Sequence, residues 1–282
     1  PEIFRIGSSA GGMRPKAIVL HNAATDEVRS AFADPRAGDV PAILKFDGVG
    51  PGKTTSGLGP PRPFNRIEAA YAEMAKKAGL DVVDISLLEG SQGHAHLVIP
   101  RFDLIPGDSG HSGDSGRRRL HQHTLGGLLH VDYNEPGASS YEEYFRTMLA
   151  MKLPPASLDE GYRRMVFNVL AINQDDHVKN LSFHMDAGGE WSLTPAYDLT
   201  FSKGAGFTRA HQMRIQDKRE GITHADLVAV AEQFGVRAPG RVIERVRDAV
   251  ARWPHFAKRD GVPADDVRRV QRELIQRARD TA

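Results

Sequence analysis

The chain has 282 residues, the size of one large domain or two small ones, with 40% hydrophobic and 26% charged residues. Its 37 basic and 36 acidic side chains leave a net charge of +1, which gives no global attraction for nucleic acid or membrane. It has no cysteine, which excludes disulfides, thiolate catalysis and Cys-ligated metals and fits the cytoplasm.

The first third reads as strands, a glycine-rich turn and one helix. Gly7 to Lys16 holds several glycines just before a strand. Such a loop brings backbone N–H groups close to phosphate, or it is an ordinary turn. Ala17–His21, Ala42–Phe46 and Ala95–Ile99 are apolar runs of strand length. Asn65 to Ala78 repeats apolar residues at helical spacing, with Gly79 as its stop and Asn65 with Glu68 as its cap.

Gly107 to Gly116 has no core-forming residue and reads as a flexible loop. Arg117, Arg118 and Arg119 follow, a solvated face or else a patch for nucleic acid or phosphate. Beyond them the pattern turns helical. Ser140 to Met151 opens with Ser140 and Glu143 in capping-box spacing, and Tyr162 to Ile172 is apolar at helical period. Leu181–Met185 and Trp191–Leu193 flank a four-residue turn as a β-hairpin. Thr223 to Phe234 carries Thr223 and Asp226 as a cap and Gly235 as a stop, and amphipathic helices occupy Arg241 to Ala282. No apolar run approaches the about 20 residues that span a bilayer. The opening Pro1-Glu2-Ile3 lacks Met, and its expected reading is a piece cut from a longer protein.

The chemistry concentrates between the Tyr162 helix and the hairpin. Asp175 and Asn180 stand in the Asp-x-x-x-x-Asn spacing of a kinase catalytic loop. Such an Asp accepts a hydroxyl proton, and an Asn carbonyl oxygen is a hard ligand for Mg²⁺. Asp198 follows the hairpin, where a second metal-binding Asp stands in kinases, although Leu199-Thr200 replaces the usual Phe-Gly. Either acid alone reads as readily as a turn cap. Lys45 sits in the apolar strand AILKF, where its head either reaches a polar site or snorkels to the surface. Glu68 is its natural partner.

Three other patterns carry less. Gly48 to Thr54 resembles a P-loop but has Asp47 where the first Gly belongs, and no helix follows. The pairs His94/His96 and His121/His123 lack further metal ligands at sensible spacing. No Gly-x-Ser-x-Gly elbow supports a hydrolase.

GGMRPKA (Gly11–Ala17), ILKF (Ile43–Phe46), IEAAYAEMAKKAGL (Ile67–Leu80), RFD (Arg101–Asp103), RLHQ (Arg119–Gln122), NQDDHVKNLSF (Asn173–Phe183) and LTPAYDL (Leu193–Leu199) occur in one order. In that order they resemble the HipA-type serine/threonine kinases, toxins of bacterial toxin–antitoxin pairs. The resemblance implies an α+β, two-lobed protein-kinase-like fold. A small strand-rich N-lobe would cover 1–103, and a larger helical C-lobe with a catalytic hairpin would cover 104–282.

It also implies roles for residues. Asp175 would be the catalytic base, and Asn180 and Asp198 the Mg²⁺ ligands. Lys45, supported by Glu68, would contact the phosphates of ATP. Gly11, Gly12, Met13, Arg14, Pro15 and Lys16 would cover the nucleotide, and Pro100, Arg101 and Phe102 would receive adenine. His177, Lys179 and Tyr197 would line the same site. Ser9, or its neighbour Ser8, would be the autophosphorylated serine that inactivates the kinase. Implied partners are a protein substrate, for which an aminoacyl-tRNA synthetase is the candidate, and an antitoxin, with DNA reached only through that antitoxin and no membrane. Full-length members carry a further N-terminal segment that helps contact the antitoxin, and this chain starts almost at the glycine loop. Pro100 also stands where an acidic residue is common. The alternatives are a small-molecule kinase and an inactive pseudokinase that serves as an antitoxin-binding corepressor.

Overall fold

The computed structural model describes residues 15–49, 59–106 and 117–281. Ser8, Ser9, Gly11, Gly12, Met13 and Arg14, most of the P-loop-like stretch and the Gly107–Gly116 segment lie outside the described residues. By its contacts the chain forms two compact units: Pro1–Ala69 with Val83–Arg119, and Ala70–Val82 with Leu120–Ala282. Residues 104–119 go with the first unit rather than the second, and 70–82 with the second rather than the first.

In the first unit, β1 (Lys16–Asn22), β2 (Glu27–Ser30), β3 (Asp39–Lys45), β4 (Ser86–Glu89) and β5 (Ala95–Pro100) form an antiparallel sheet in the order β2-β1-β3-β5-β4. Ala17 and Val19 of β1, Ala42 and Leu44 of β3, and Val98 of β5 bury one face of it, with Val28, Phe46 and Leu88 against them. The two-residue spacing within β1 and within β3 is the strand period read as burial. β6 (Leu104–Pro106) pairs with β7 (Arg117–Arg119). Arg118 and Arg119 are exposed, and Arg117 donates to the Asp39 carbonyl at 3.2 Å.

Helix α1 (Phe64–Ala78) begins one residue before Asn65, so Asn65 is not its cap. Its Nδ2 instead donates to the carbonyls of Lys45 at 3.2 Å and Ala95 at 2.9 Å, and the side chain is buried. An Asn ahead of an apolar run is a local cap signal. Here two strand-end carbonyls compete for the same amide and take it.

Of the paired histidines, His94 is satisfied and buried. Its Nδ1 lies 2.8 Å from the Ser91 carbonyl and its Nε2 2.7 Å from that of Gly59. Carbonyl oxygens only accept, so both nitrogens donate together only in the imidazolium form. The Gly59 carbonyl, then that of Ser91, outweigh burial and raise the His94 pKa above its usual value. A raised folded pKa gives a stabilisation fully present below about pH 6.5 and lost as pH climbs through the raised value. His94→Gln is therefore expected to lower the melting temperature clearly at about pH 6 and little at about pH 9. Equal losses at both values would remove the imidazolium from the account.

The second unit is built on α4 (Pro155–Leu170), which packs against α3 (Tyr141–Ala150), α5 (His224–Phe234), α6 (Pro239–Ala251) and α8 (Ala264–Asp280). α2 (Leu125–Leu129), α7 (Trp253–Arg259) and the part of α1 from Ala70 onward complete its α-helices among the described residues. Proline begins α4, where its missing N–H costs nothing. The boxes at Ser140/Glu143 and Thr223/Asp226 close reciprocally, and Gly235 ends α5 at φ 65°. Tyr71 of α1 donates to the Ala171 carbonyl at 2.8 Å and meets Phe167 and Trp253 edge-on. β9 (Ser182–Met185) and β10 (Trp191–Leu193) form the expected hairpin, and β8 (His121–Thr124) joins β9 as a third strand. Asp186 accepts from the Gly188 and Glu190 amides and closes the turn. No helix among the described residues is long and apolar enough to cross a membrane.

Candidate active site

The acidic loop leaves α4 through Ala171 and then Ile172, whose φ of 54° turns the chain out of the helix. It is held at both ends. The Asn173 amide donates to the Asn168 carbonyl at 2.9 Å, and the Gln174 amide to Ser202 at 3.1 Å. At the other end the first amides of α2 donate into the loop, Gly126 to the Val178 carbonyl at 3.1 Å and Leu125 to that of Leu181 at 2.7 Å. A Cβ on Gly126 would stand 2.7 Å from a Val178 methyl, so only glycine permits this approach.

Within the loop the two adjacent acids have opposite environments. The Asp175 side chain is 41% exposed, with His177 Nε2 3.6 Å from its Oδ1. The Asp176 side chain is 0% exposed. Its Oδ1 accepts from the Gln212 amide at 2.7 Å. Its Oδ2 accepts from the Tyr141 hydroxyl at 3.0 Å and lies 2.9 Å from His211 Nδ1. Both oxygens act as acceptors, so His211 carries its proton on Nδ1. Behind them runs a directed chain: Asn173 Nδ2 donates to Asn168 Oδ1, and Asn168 Nδ2 donates to the Tyr141 hydroxyl. Burial, then the Asp176 charge, pushes the Tyr141 phenol well above its usual pKa and keeps it a donor.

The loop folds back on itself at Asn180. Its amide N–H donates to the His177 carbonyl and its Nδ2 to the Asp175 carbonyl, each at 2.9 Å. A carbonyl can only accept, so the side-chain nitrogen is fixed on that side and Oδ1 on the other. The Tyr197 hydroxyl donates to the Lys179 carbonyl at 2.7 Å and contacts the Ser182 hydroxyl, tying the segment after the hairpin to the loop. Burial raises the Tyr197 phenol far above its usual pKa, so it stays a donor. Asp198 comes next at φ 54°, the left-handed region that costs a non-glycine residue energy and clusters at functional sites. Asn180, Tyr197, Ala196 and Leu199 line one small cavity with Asp176. Lys179 Nζ sits 3.2 Å above the Tyr133 ring, and the His177 ring meets the same tyrosine edge-on. Asn180 and Asp198 offer hard oxygens, the donor chemistry that Mg²⁺ takes.

In the first unit, Lys45 ends β3, and its Nζ lies 2.6 Å from Glu68 Oε1, both side chains buried. Asn65 produces this pairing. By holding the first turn of α1 to the ends of β3 and β5, it sets Glu68 one turn later opposite Lys45. Pro15 accepts from the Phe46 amide, and Lys16 stands opposite Lys45 across β1 and β3. On its other side β5 is covered by β4 only as far as Val98. Pro100 therefore lies past the end of β4, followed by Phe102 and by Arg101, which is ion-paired with Asp103.

Tyr133, Tyr141, Asn168, His211 and Gln212 were not singled out by the sequence. Their hydrogen bonds to the loop span up to 38 positions, and no spacing rule reaches so far.

The fold is protein-kinase-like. It superposes on HipA from the Shewanella oneidensis toxin–antitoxin system, solved with HipB and operator DNA, with a TM-score of 0.69 at 21% identity, covering 97% of this chain and 65% of that one. The Helicobacter pylori proinflammatory kinase CtkA gives a TM-score of 0.55 at 12% identity, covering 98% and 91%. The family model described as the HipA-like C-terminal domain matches residues 8–279, and the chain belongs to that family. Among curated proteins it is similar to a "Putative kinase Y4dM" of Sinorhizobium fredii, 26% identical over 83% of this chain and 60% of that protein. A "Putative kinase" of Haemophilus influenzae is 29% identical over 47% of this chain and 39% of that protein. The chain thus spans less than two thirds of the length of these curated relatives.

Proposed function

We propose that the chain is the catalytic part of a HipA-type serine/threonine kinase that uses ATP and Mg²⁺. The observation that carries this reading is the contrast within the acidic loop. Asp176 is consumed by buried donors, while Asp175 is left half-exposed next to an Asn180 whose amide is already oriented. In the proposed reaction Asp175 accepts the proton of a substrate hydroxyl, whose oxygen takes the γ-phosphoryl group as ADP leaves. Asn180 and Asp198 hold Mg²⁺, which supplies charge neutralisation on the phosphates. Lys45, held by Glu68, contacts the α- and β-phosphates. His177 and Lys179 stand beside them, and Gly11 to Lys16 cover them. Pro100 to Phe102 receive adenine.

The presence of Asp175, Asn180, Asp198 and Lys45 supports an enzyme over a pseudokinase. An antitoxin partner, with DNA reached through it, is proposed from the HipA likeness. An aminoacyl-tRNA synthetase as target, inhibitory phosphorylation of Ser9 or Ser8 and a cytoplasmic location rest on the family resemblance.

Calorimetry of ATP binding tests the site. The wild-type chain is expected to bind ATP in Mg²⁺ and far more weakly in its absence, and Asp198→Asn is expected to lose the difference. Equal affinity with and without Mg²⁺, or no binding in either, overturns the metal assignment.

A further inference from the structure

Apart from the acidic loop, the second unit holds a cavity of about 230 Å³ among α6, α7, α8 and the end of α4. Leu170, Val250, Trp253 and Leu274 supply apolar walls, and all four are buried. The Trp253 indole N–H is already spent on the Val267 carbonyl at 3.1 Å, and the fully buried tryptophan lies directly beneath the lining. Arg247 and Gln271 are the polar side chains of the lining, and no carboxylate is among them. The Arg247 Nε is buried and has no hydrogen-bond partner among the described residues. Arg247 as a whole is half-buried, and a guanidinium in a lining without a carboxylate is best met by an anionic oxygen.

We propose that this cavity binds a small amphipathic carboxylate, its apolar body against Leu274 and Ile275, above the buried Trp253, and its carboxylate on Arg247. The charge complementarity selects an anion over a cation. The volume selects a body of about one ring with a short tail, since a cavity of about 150 Å³ suffices for benzene. The site is separate from the kinase reading and stands or falls without it.

Phenylbutyrate tests the proposal against its neutral counterpart phenylbutanol. The chain has two tryptophans, so Trp191→Phe leaves Trp253 as the reporter. Phenylbutyrate is expected to shift Trp253 emission saturably, and phenylbutanol to bind about tenfold more weakly for want of the charged hydrogen bond. Arg247→Gln is expected to abolish the preference for the acid. Ala278→Phe, which fills the cavity from α8, is expected to abolish binding of both, with circular dichroism melts confirming that each variant is folded. A Trp253 emission that does not saturate, equal affinity for acid and alcohol, or unchanged binding in Ala278→Phe overturns the site. Should Arg247→Gln fail to fold, the acid-to-alcohol comparison in the parent chain still decides the role of charge.

Discussion

Asp175→Asn is expected to reduce phosphate transfer by about 10²–10⁴-fold, the range of a lost general base. Its melting temperature should stay within about 2 °C of wild type, because a half-exposed side chain carries little of the fold. The substitution leaves the Asp175 carbonyl in place, and that carbonyl, not the carboxylate, orients Asn180. Metal and nucleotide binding should therefore survive, and the loss should fall on kcat rather than on ATP affinity. Transfer from labelled ATP into a protein substrate, measured beside ATP calorimetry, separates the two. An Asp175→Asn chain that transfers phosphate at the wild-type rate removes the base from the proposed mechanism.

Asp176→Ala should behave in the opposite way. Truncation leaves the Gln212 amide, the Tyr141 hydroxyl and the His211 Nδ1 proton facing an empty, buried space. Breaking a buried charge-assisted set of this kind costs about 3–5 kcal/mol. In a unit of this size that lowers the melting temperature by about 10 °C. Activity is lost as well, but through the fold, so ATP affinity falls with the melting temperature. A chain that melts within about 2 °C of wild type would mean that the buried network does not hold the loop. The pair of variants also fixes the register of the motif, since neighbouring aspartates give opposite signatures.

What the sequence made legible was local. The capping boxes at Ser140 and Thr223 close over three residues, and the Asp186–Gly189 turn is its own signal. Lys45 stood out because a cation in an apolar strand needs a partner, and Glu68 lay at the right turn of the next helix. Asn65 was misread because its cap signal is local, while its partners lie 20 and 30 positions away. The strand at Ser86–Glu89 and that at His121–Thr124 are four residues each, too short for alternation to declare itself. The partners of Asp176 were invisible for the same reason as those of Asn65: they meet it only once the unit has closed.

That separation has a consequence for synthesis. Asp175 and Asn180 leave the ribosome before His211 and Gln212 do, so the loop exists as a peptide before it exists as a site. Domains fold as units during elongation, and contacts of long sequence separation form late. A nascent chain halted just short of His211 would carry every residue assigned to the phosphoryl transfer and lack two of the three donors that hold Asp176, keeping only Tyr141. The proposed catalytic geometry is thereby tied to the arrival of a segment that contributes no catalytic group, and a chain released early, or cut before His211, is expected to transfer no phosphate.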